Sequence, residues 1–311
     1  MIPFLERLNK AQNVLIAGCG GGFDVYAGIP IATYLWQRGA SVTLANLSFS
    51  NLWDSCAERF DPITWCIEPN AGELPYFPEK WLVEWLARRG QSTPVYGFAK
   101  SGAAPLSAAY NALLDMRDFD LVLLMDGGTD GLIFGDEPGL GTIVEDAVSI
   151  VAAFKAAENR AVLVSLGFGI DQFHGISHYT FLENAALLSR DGGYLGGFSL
   201  VGGTPEADAF LDLVAYANQR QPRYRSIVCN SIASAINGEF GDYHATDRTG
   251  GTELFINPLM TQYWAFSIDR IVSRMKYATA LAETRTFEEA SAVIEQVRDT
   301  LVLRPRKPIP L

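Results

Sequence analysis

Short, unbroken apolar runs recur along this chain, and most of them close on glycine or on a glycine–aspartate pair. Residues 13–17 (NVLIA), 41–45 (SVTLA), 94–99 (PVYGFA), 120–125 (DLVLLM) and 161–166 (AVLVSL) are too short for helices. Their lack of polar alternation predicts strands covered on both faces, as in a parallel sheet. A weaker strand is expected over 64–67. Between these runs the apolar spacing changes to that of helices, over 31–37, 78–89, 105–116 and 142–157. In the second of these, Trp81, Leu82, Trp85 and Leu86 share one face. Thr142 and Glu145 stand three apart, the spacing of a capping box that would open the fourth.

Strands that alternate with helices predict a doubly wound, mostly parallel α/β sheet. Beyond residue 170 the texture changes. A helix over 181–189, a strand over 194–200 and a helix opened by Thr204-Pro205-Glu206 are expected. From 256 to about 302 the pattern is largely helical. There is no internal repeat and no evident linker, so residues 1–311 are expected to form a single domain. Its sheet-forming core would span 1–200 and its mainly helical part 201–311.

Four segments then deliver polar groups where strands should end. They are Gly18-Cys19-Gly20-Gly21-Gly22-Phe23-Asp24, Lys100-Ser101-Gly102, Asp126-Gly127-Gly128-Thr129-Asp130 and Gly167-Phe168-Gly169-Ile170-Asp171. In an open parallel sheet all these loops reach the same carboxyl-end rim, where ligands bind. The first resembles a dinucleotide fingerprint, but the third glycine falls at Phe23. The second strand also ends in Ala45-Asn46-Leu47, without the carboxylate that grips a ribose. A general cradle for phosphate or carboxylate fits better, built by Gly18, Gly20, Gly21, Gly22 and Asp24 with Lys100 as helper. A bare strand-to-helix turn is the alternative. Cys19 is expected to be a small filler residue.

Asp126, Asp130, Asp136 and Glu137 place four carboxylates within twelve residues. Hard oxygen ligands suit magnesium or manganese, or sugar hydroxyls; Asp-Gly is equally a turn signal. Asp126, Asp130 and Asp136 are therefore the metal candidates, with Asp136 and Glu137 also candidates for substrate contact. Farther along, Asp171 precedes His174 by three residues and could orient it for proton transfer. His174 and His178 have metal-ligand spacing only if helical, and Gly175 and a Thr180/Glu183 capping pair favour a loop. His178 is retained as a substrate-binding candidate. No Gly-x-Ser-x-Gly elbow is present.

Charge narrows the partners. A net charge of −11 without a basic stripe argues against nucleic acid. The one basic cluster, Arg304 to Lys307, lies among prolines and is expected to be a solvated tail. Charged residues make up only 19% of the chain, which suggests much buried surface, either in a large core or against a second copy; a homo-oligomer is expected. The absence of an apolar run near 18 residues argues against a membrane span. With scattered cysteines and no signal-type start, a cytoplasmic location is expected.

The stretch DGGTDGLIFGDEPGLGTIVED from Asp126 to Asp146, with the glycine loop and GIDQFHGISHYTFLEN, resembles domain-of-unknown-function family 1152. The resemblance covers at least residues 13–200 and implies a Rossmann-like fold without an established activity. A narrower likeness joins Ala27-Gly28-Ile29-Pro30 and Ile170-Asp171 to the sirtuin NAD-cleaving pocket, with different glycine spacing and no paired-cysteine zinc module. It implies that glycosidic-bond chemistry on a nucleotide stays open. The expectation is an enzyme acting on a small phosphorylated or nucleotide-like metabolite by hydrolysis or group transfer. In it, Asp126, Asp130, Asp171 and His174 would be catalytic. The alternative is a non-catalytic ligand-binding or scaffold subunit.

Overall fold

The computed structural model describes residues 2–251 and 253–309, apart from the side chain of Phe173. The strands are β1 (Asn13–Gly18), β2 (Ser41–Leu47), β3 (Glu58–Arg59), β4 (Thr64–Ile67), β5 (Val95–Phe98), β6 (Leu121–Gly127), β7 (Ala161–Leu166), β8 (Tyr194–Ser199), β9 (Gly241–Asp242), β10 (Phe255–Ile256) and β11 (Gln262–Ser267). Nine of them form one sheet in the order β3-β4-β5-β2-β1-β6-β7-β11-β8, and β9 pairs with β10 in a separate ribbon.

The five strands expected from continuous apolar runs are the five mutually parallel ones, β5-β2-β1-β6-β7. Numbered by their own succession in the chain, they lie in the order 3-2-1-4-5, the doubly wound arrangement of Rossmann-like folds. Their apolar character follows from burial on both faces. Val14 and Ile16 point into a core shared with helices Ile29–Gln37, Pro78–Arg88 and Pro205–Arg220. Leu15 and Ala17 point the other way, toward helices Ala103–Met116, Ile143–Ala157 and His178–Arg190. Successive side chains of a strand alternate faces, so each apolar run feeds two cores at once.

Both sheet edges are antiparallel. β4 pairs with β5 and β3 on one side, and β11 inserts between β7 and β8 on the other. β11 lies within the segment expected to be largely helical. Its Tyr263, Ala265 and Phe266 are fully buried, so tertiary pairing against β7 outweighs local pattern there. Helix Phe287–Asp299 then packs on Ile143–Ala157 and is opened by a complete Thr286/Glu289 capping box. The expected box at Thr142 does not form: Thr142 precedes the helix, but its hydroxyl is used elsewhere. Ser177, not Thr180, caps the helix His178–Arg190, and His174 lies in a separate 3-10 turn. Among the described residues, no helix is long and apolar enough to cross a membrane.

Candidate functional site

In the doubly wound order, connections leave β1 toward one edge and β6 toward the other, which opens a crevice between their carboxyl ends. A cleft of about 600 Å³ lies there, within the range of small-molecule sites. β1 delivers the loop Gly20–Phe23 to it, and β6 delivers Gly127 and Asp130. The loop after β7 delivers Asp171 and His174, and the first turn of Ile143–Ala157 delivers Asp146. Because β7 is the direct neighbour of β6, His174 and the acidic segment share one rim.

Five aspartates converge below this cleft. The Asp24 carboxylate turns back to accept the Gly20 N–H at 2.7 Å. Asp126, at the end of β6, accepts the Ser165 hydroxyl from β7 on Oδ2 at 2.7 Å. Asp130 Oδ2 accepts both the N–H and the hydroxyl of Thr142, at 3.1 and 2.7 Å. Asp146 Oδ1 accepts the Cys19 thiol at 3.3 Å. Asp171 Oδ2 accepts from the Thr129 backbone and, at 2.9 Å, from its hydroxyl. Asp126, Asp130, Asp146 and Asp171 are all buried. Among the described residues, no lysine or arginine forms an ion pair with any of the five. Their one ionic neighbour is His174, with Nδ1 3.9 Å from Asp171 Oδ1.

Carboxylates gathered this way resist ionisation. Burial first, and then mutual repulsion, pushes Asp24, Asp126 and Asp146 well above the usual carboxylate range. The same two causes raise Asp130 to about 7. Burial and the adjacent Asp146 also push the Cys19 thiol well above its ordinary value, which disfavours the thiolate, and its hydrogen bond points at Asp146. His174 is shifted upward, chiefly by the neighbouring Asp171 carboxylate, which favours the imidazolium.

The glycines are here because the carboxylates crowd them. A Cβ on Gly20 would sit 2.6 Å from Asp24 Oδ2 and 2.8 Å from Asp146 Oδ2. Gly128, at φ +150°, lies where a Cβ would meet Asp171 Oδ2 at 2.6 Å. Gly21 and Gly22, both at positive φ, line the cleft with backbone alone. Among the described residues, no hydrogen bond takes up their N–H groups. Asp24 opens only a four-residue helix, and it takes the Gly20 N–H itself, so the cradle reduces to the amides of Gly21 and Gly22.

Several expected residues are not brought to the cleft. Asp136 and Glu137 turn away to hold Arg304, at 3.0 and 2.6 Å. Glu137 also accepts the amides of Phe134 and Gly135 and the side-chain amide of Asn184. Asp136 is thus not beside Asp126 and Asp130, and its place in the acidic cluster is taken by Asp146. Lys100 pairs with Glu145 at 2.7 Å and stacks over Phe49 and Phe287; it supports the cleft wall from behind. Gly18 is packed against Asn46 and Val25. His178 packs edge-on against Phe168, its Nε2 buried with no hydrogen-bond partner among the described residues and its pKa lowered by burial.

Sequence reasoning missed Asp146, although a signal was present. Ile143, Asp146, Ala147 and Ile150 follow helical spacing on one buried stripe, and a lone aspartate on such a stripe needs a partner. It also missed Phe49, in the loop directly after β2, and Tyr76, Tyr224 and Arg248, which come to the cleft from outside the loops that follow the parallel strands.

The chain belongs to the family described as "Protein of unknown function (DUF1152)", whose profile matches residues 86–300. That span holds Asp126, Asp130, Asp146, Asp171 and His174 but not the glycine loop. No curated protein and no solved structure matches the chain.

Proposed function

We propose that this chain is an enzyme acting on a small phosphorylated or nucleotide-like metabolite, by hydrolysis or group transfer, within the cleft between β1 and β6. The observation that carries the reading is the meeting of open glycine amides, an acidic floor and an aspartate-linked histidine around one cavity of about 600 Å³. Free amides at Gly21 and Gly22 and the Arg248 side chain suit the anionic part of such a ligand. Phe49, Tyr76 and Tyr224 offer faces for a planar ring.

The upward shift of His174 suits it to donate a proton and not to remove one. In hydrolysis, the water oxygen bonds to the electrophilic phosphorus or sugar carbon as the bond to the leaving oxygen breaks. His174 protonates that leaving oxygen, and Asp130, which burial and Asp171 raise to about 7 and which is therefore part-ionised near neutrality, takes the proton from the water. Asp171 would position His174; Asp130, Asp24 and Asp146 would hold the attacking water or ligand hydroxyls.

A panel of nucleoside phosphates, sugar phosphates and nicotinamide dinucleotide, followed by phosphorus NMR and chromatography, tests this. Turnover is expected for at least one member, with kcat reduced about 100-fold or more in His174→Ala while ligand affinity is kept. The pH profile should agree in sign. Asp171 and Asp130 favour the imidazolium and Arg248 opposes it, so kcat should fall on the alkaline side, above the ordinary imidazole value of about 6.5. His174→Ala should lose that limb. Binding without turnover across the panel would favour a non-catalytic ligand-binding subunit.

A further inference from the structure

We propose that Asp126, Asp130 and Asp146 form a binding site for one hard divalent cation of the magnesium or manganese type. One oxygen from each of the three lies within 4.8 Å of the others. That separation fits oxygens sharing an ion at about 2.0–2.6 Å.

The hydrogen bonds divide the work of each carboxylate. Asp126 commits Oδ2 to Ser165, Asp130 commits Oδ2 to Thr142, and Asp146 commits Oδ1 to Cys19. In each case the other oxygen has no protein donor among the described residues. Donors that fix one oxygen and leave its twin free are what orients carboxylate ligands around a metal. The decisive atom is Asp126 Oδ1, which is buried and has no hydrogen-bond partner among the described residues. A buried acceptor of this kind carries an uncompensated desolvation cost, and a cation shared with Asp130 and Asp146 removes it.

A second trio, Cys19, Asp24 and Asp146, is equally compact. It suits a hard ion less well. The Cys19 thiol spends its proton on Asp146, and sulfur is the ligand of softer metals such as zinc. The ion assigned to the oxygen trio would lie beneath the mouth of the cleft, next to the ligand position. There it could draw in a phosphate oxygen or polarise a water. This use of the ion rests on the proposed enzymatic reading; its binding does not.

The test is therefore made without substrate. Manganese titration of the full chain, followed by electron paramagnetic resonance, should show one site that magnesium competes for. Asp126→Asn should weaken it at least about a hundredfold, and Ser165→Ala by about tenfold through lost orientation. Cys19→Ser should leave it within about threefold, because only a supporting donor changes. Circular dichroism confirms that each variant is folded. Failure of the wild type to bind manganese or magnesium at millimolar concentration would overturn the site. So would binding that survives Asp126→Asn, or zinc binding that depends on Cys19 in place of manganese binding. An empty cleft that still turns over substrate would remove the ion and leave the enzyme standing; a bound ion without turnover would do the reverse.

Discussion

Asp146→Asn is expected to make the metal-free protein more stable while abolishing its activity. Asp146 is 1% exposed on the apolar stripe of helix Ile143–Ala157. Burial and the neighbouring Asp130, Asp126 and Asp24 all disfavour its ionised form. Holding such a group in the fold opposes stability at neutral pH, where the unfolded chain ionises it freely. Asparagine keeps the shape, and its Oδ1 still accepts the Cys19 thiol, but it removes the charge. In chelator, the free energy of urea unfolding should rise, because the variant no longer carries a group whose ionisation the fold opposes. Turnover should fall by about 100-fold or more, the usual loss when an electrostatic group is removed from a working site. Adding manganese should stabilise the wild type and not the variant. A variant destabilised like an ordinary buried substitution, in chelator as well as in metal, would show that the cluster is not under electrostatic stress. Gains of this kind are typical where function holds a site away from its stability optimum.

Arg304→Ala is expected to have the largest effect on stability, although this residue lies in a tail whose composition suggests solvent. Its guanidinium reaches Asp136, Glu137, Glu183 and Asn184, and its backbone N–H donates to the Asp136 carbonyl at 2.7 Å. Glu137 is fully buried. Truncating Arg304 leaves that carboxylate without its cation, while the remaining amide donors compensate in part. A loss of about 3 kcal/mol follows from the cost of breaking a buried pair. Arg304→Lys should recover only part of it, since a point charge cannot reproduce a planar fork spread over four partners. Urea unfolding of the three proteins measures this. Loss below about 1 kcal/mol for Arg304→Ala would mean the tail contributes no more than a surface ion pair. The same geometry separates Asp136 and Glu137 from ligand chemistry: Glu137→Gln should cost stability and leave ligand affinity unchanged.

What the sequence made legible follows from the reach of each interaction. The five parallel strands could be read because burial on both faces leaves an unbroken apolar signature, and DLVLLM is the clearest case. The rim loops could be read because glycine and aspartate directly after such a run turn the chain sharply and leave polar groups at the carboxyl edge. β11 could not be read in this way. The run QYWAFS has strand-forming residues, but its position between β7 and β8 depends on a pairing more than 60 residues away in the chain. Thr142 and Glu145 carried the right spacing for a cap, yet Asp130 and Lys100 offered stronger partners, and the local motif lost to the tertiary one. Asp136 and Asp146 exchanged roles for a similar reason. Proximity in sequence to Asp126 favoured Asp136, whereas the helix brought Asp146 across the rim and Arg304 drew Asp136 outward.

In the proposed reading, a phosphorylated or nucleotide-like ligand is handled where the glycine loop, the aspartates and His174 meet. The most direct measurement is a crystal structure of the full chain with manganese and the best-binding nucleotide or sugar phosphate from the panel. Phosphate oxygens are expected against the amides of Gly21 and Gly22, and His174 within hydrogen-bond reach of the leaving oxygen. An anomalous manganese peak should lie among Asp126, Asp130 and Asp146. A ligand found elsewhere on the protein, with this cleft holding only water, would contradict it.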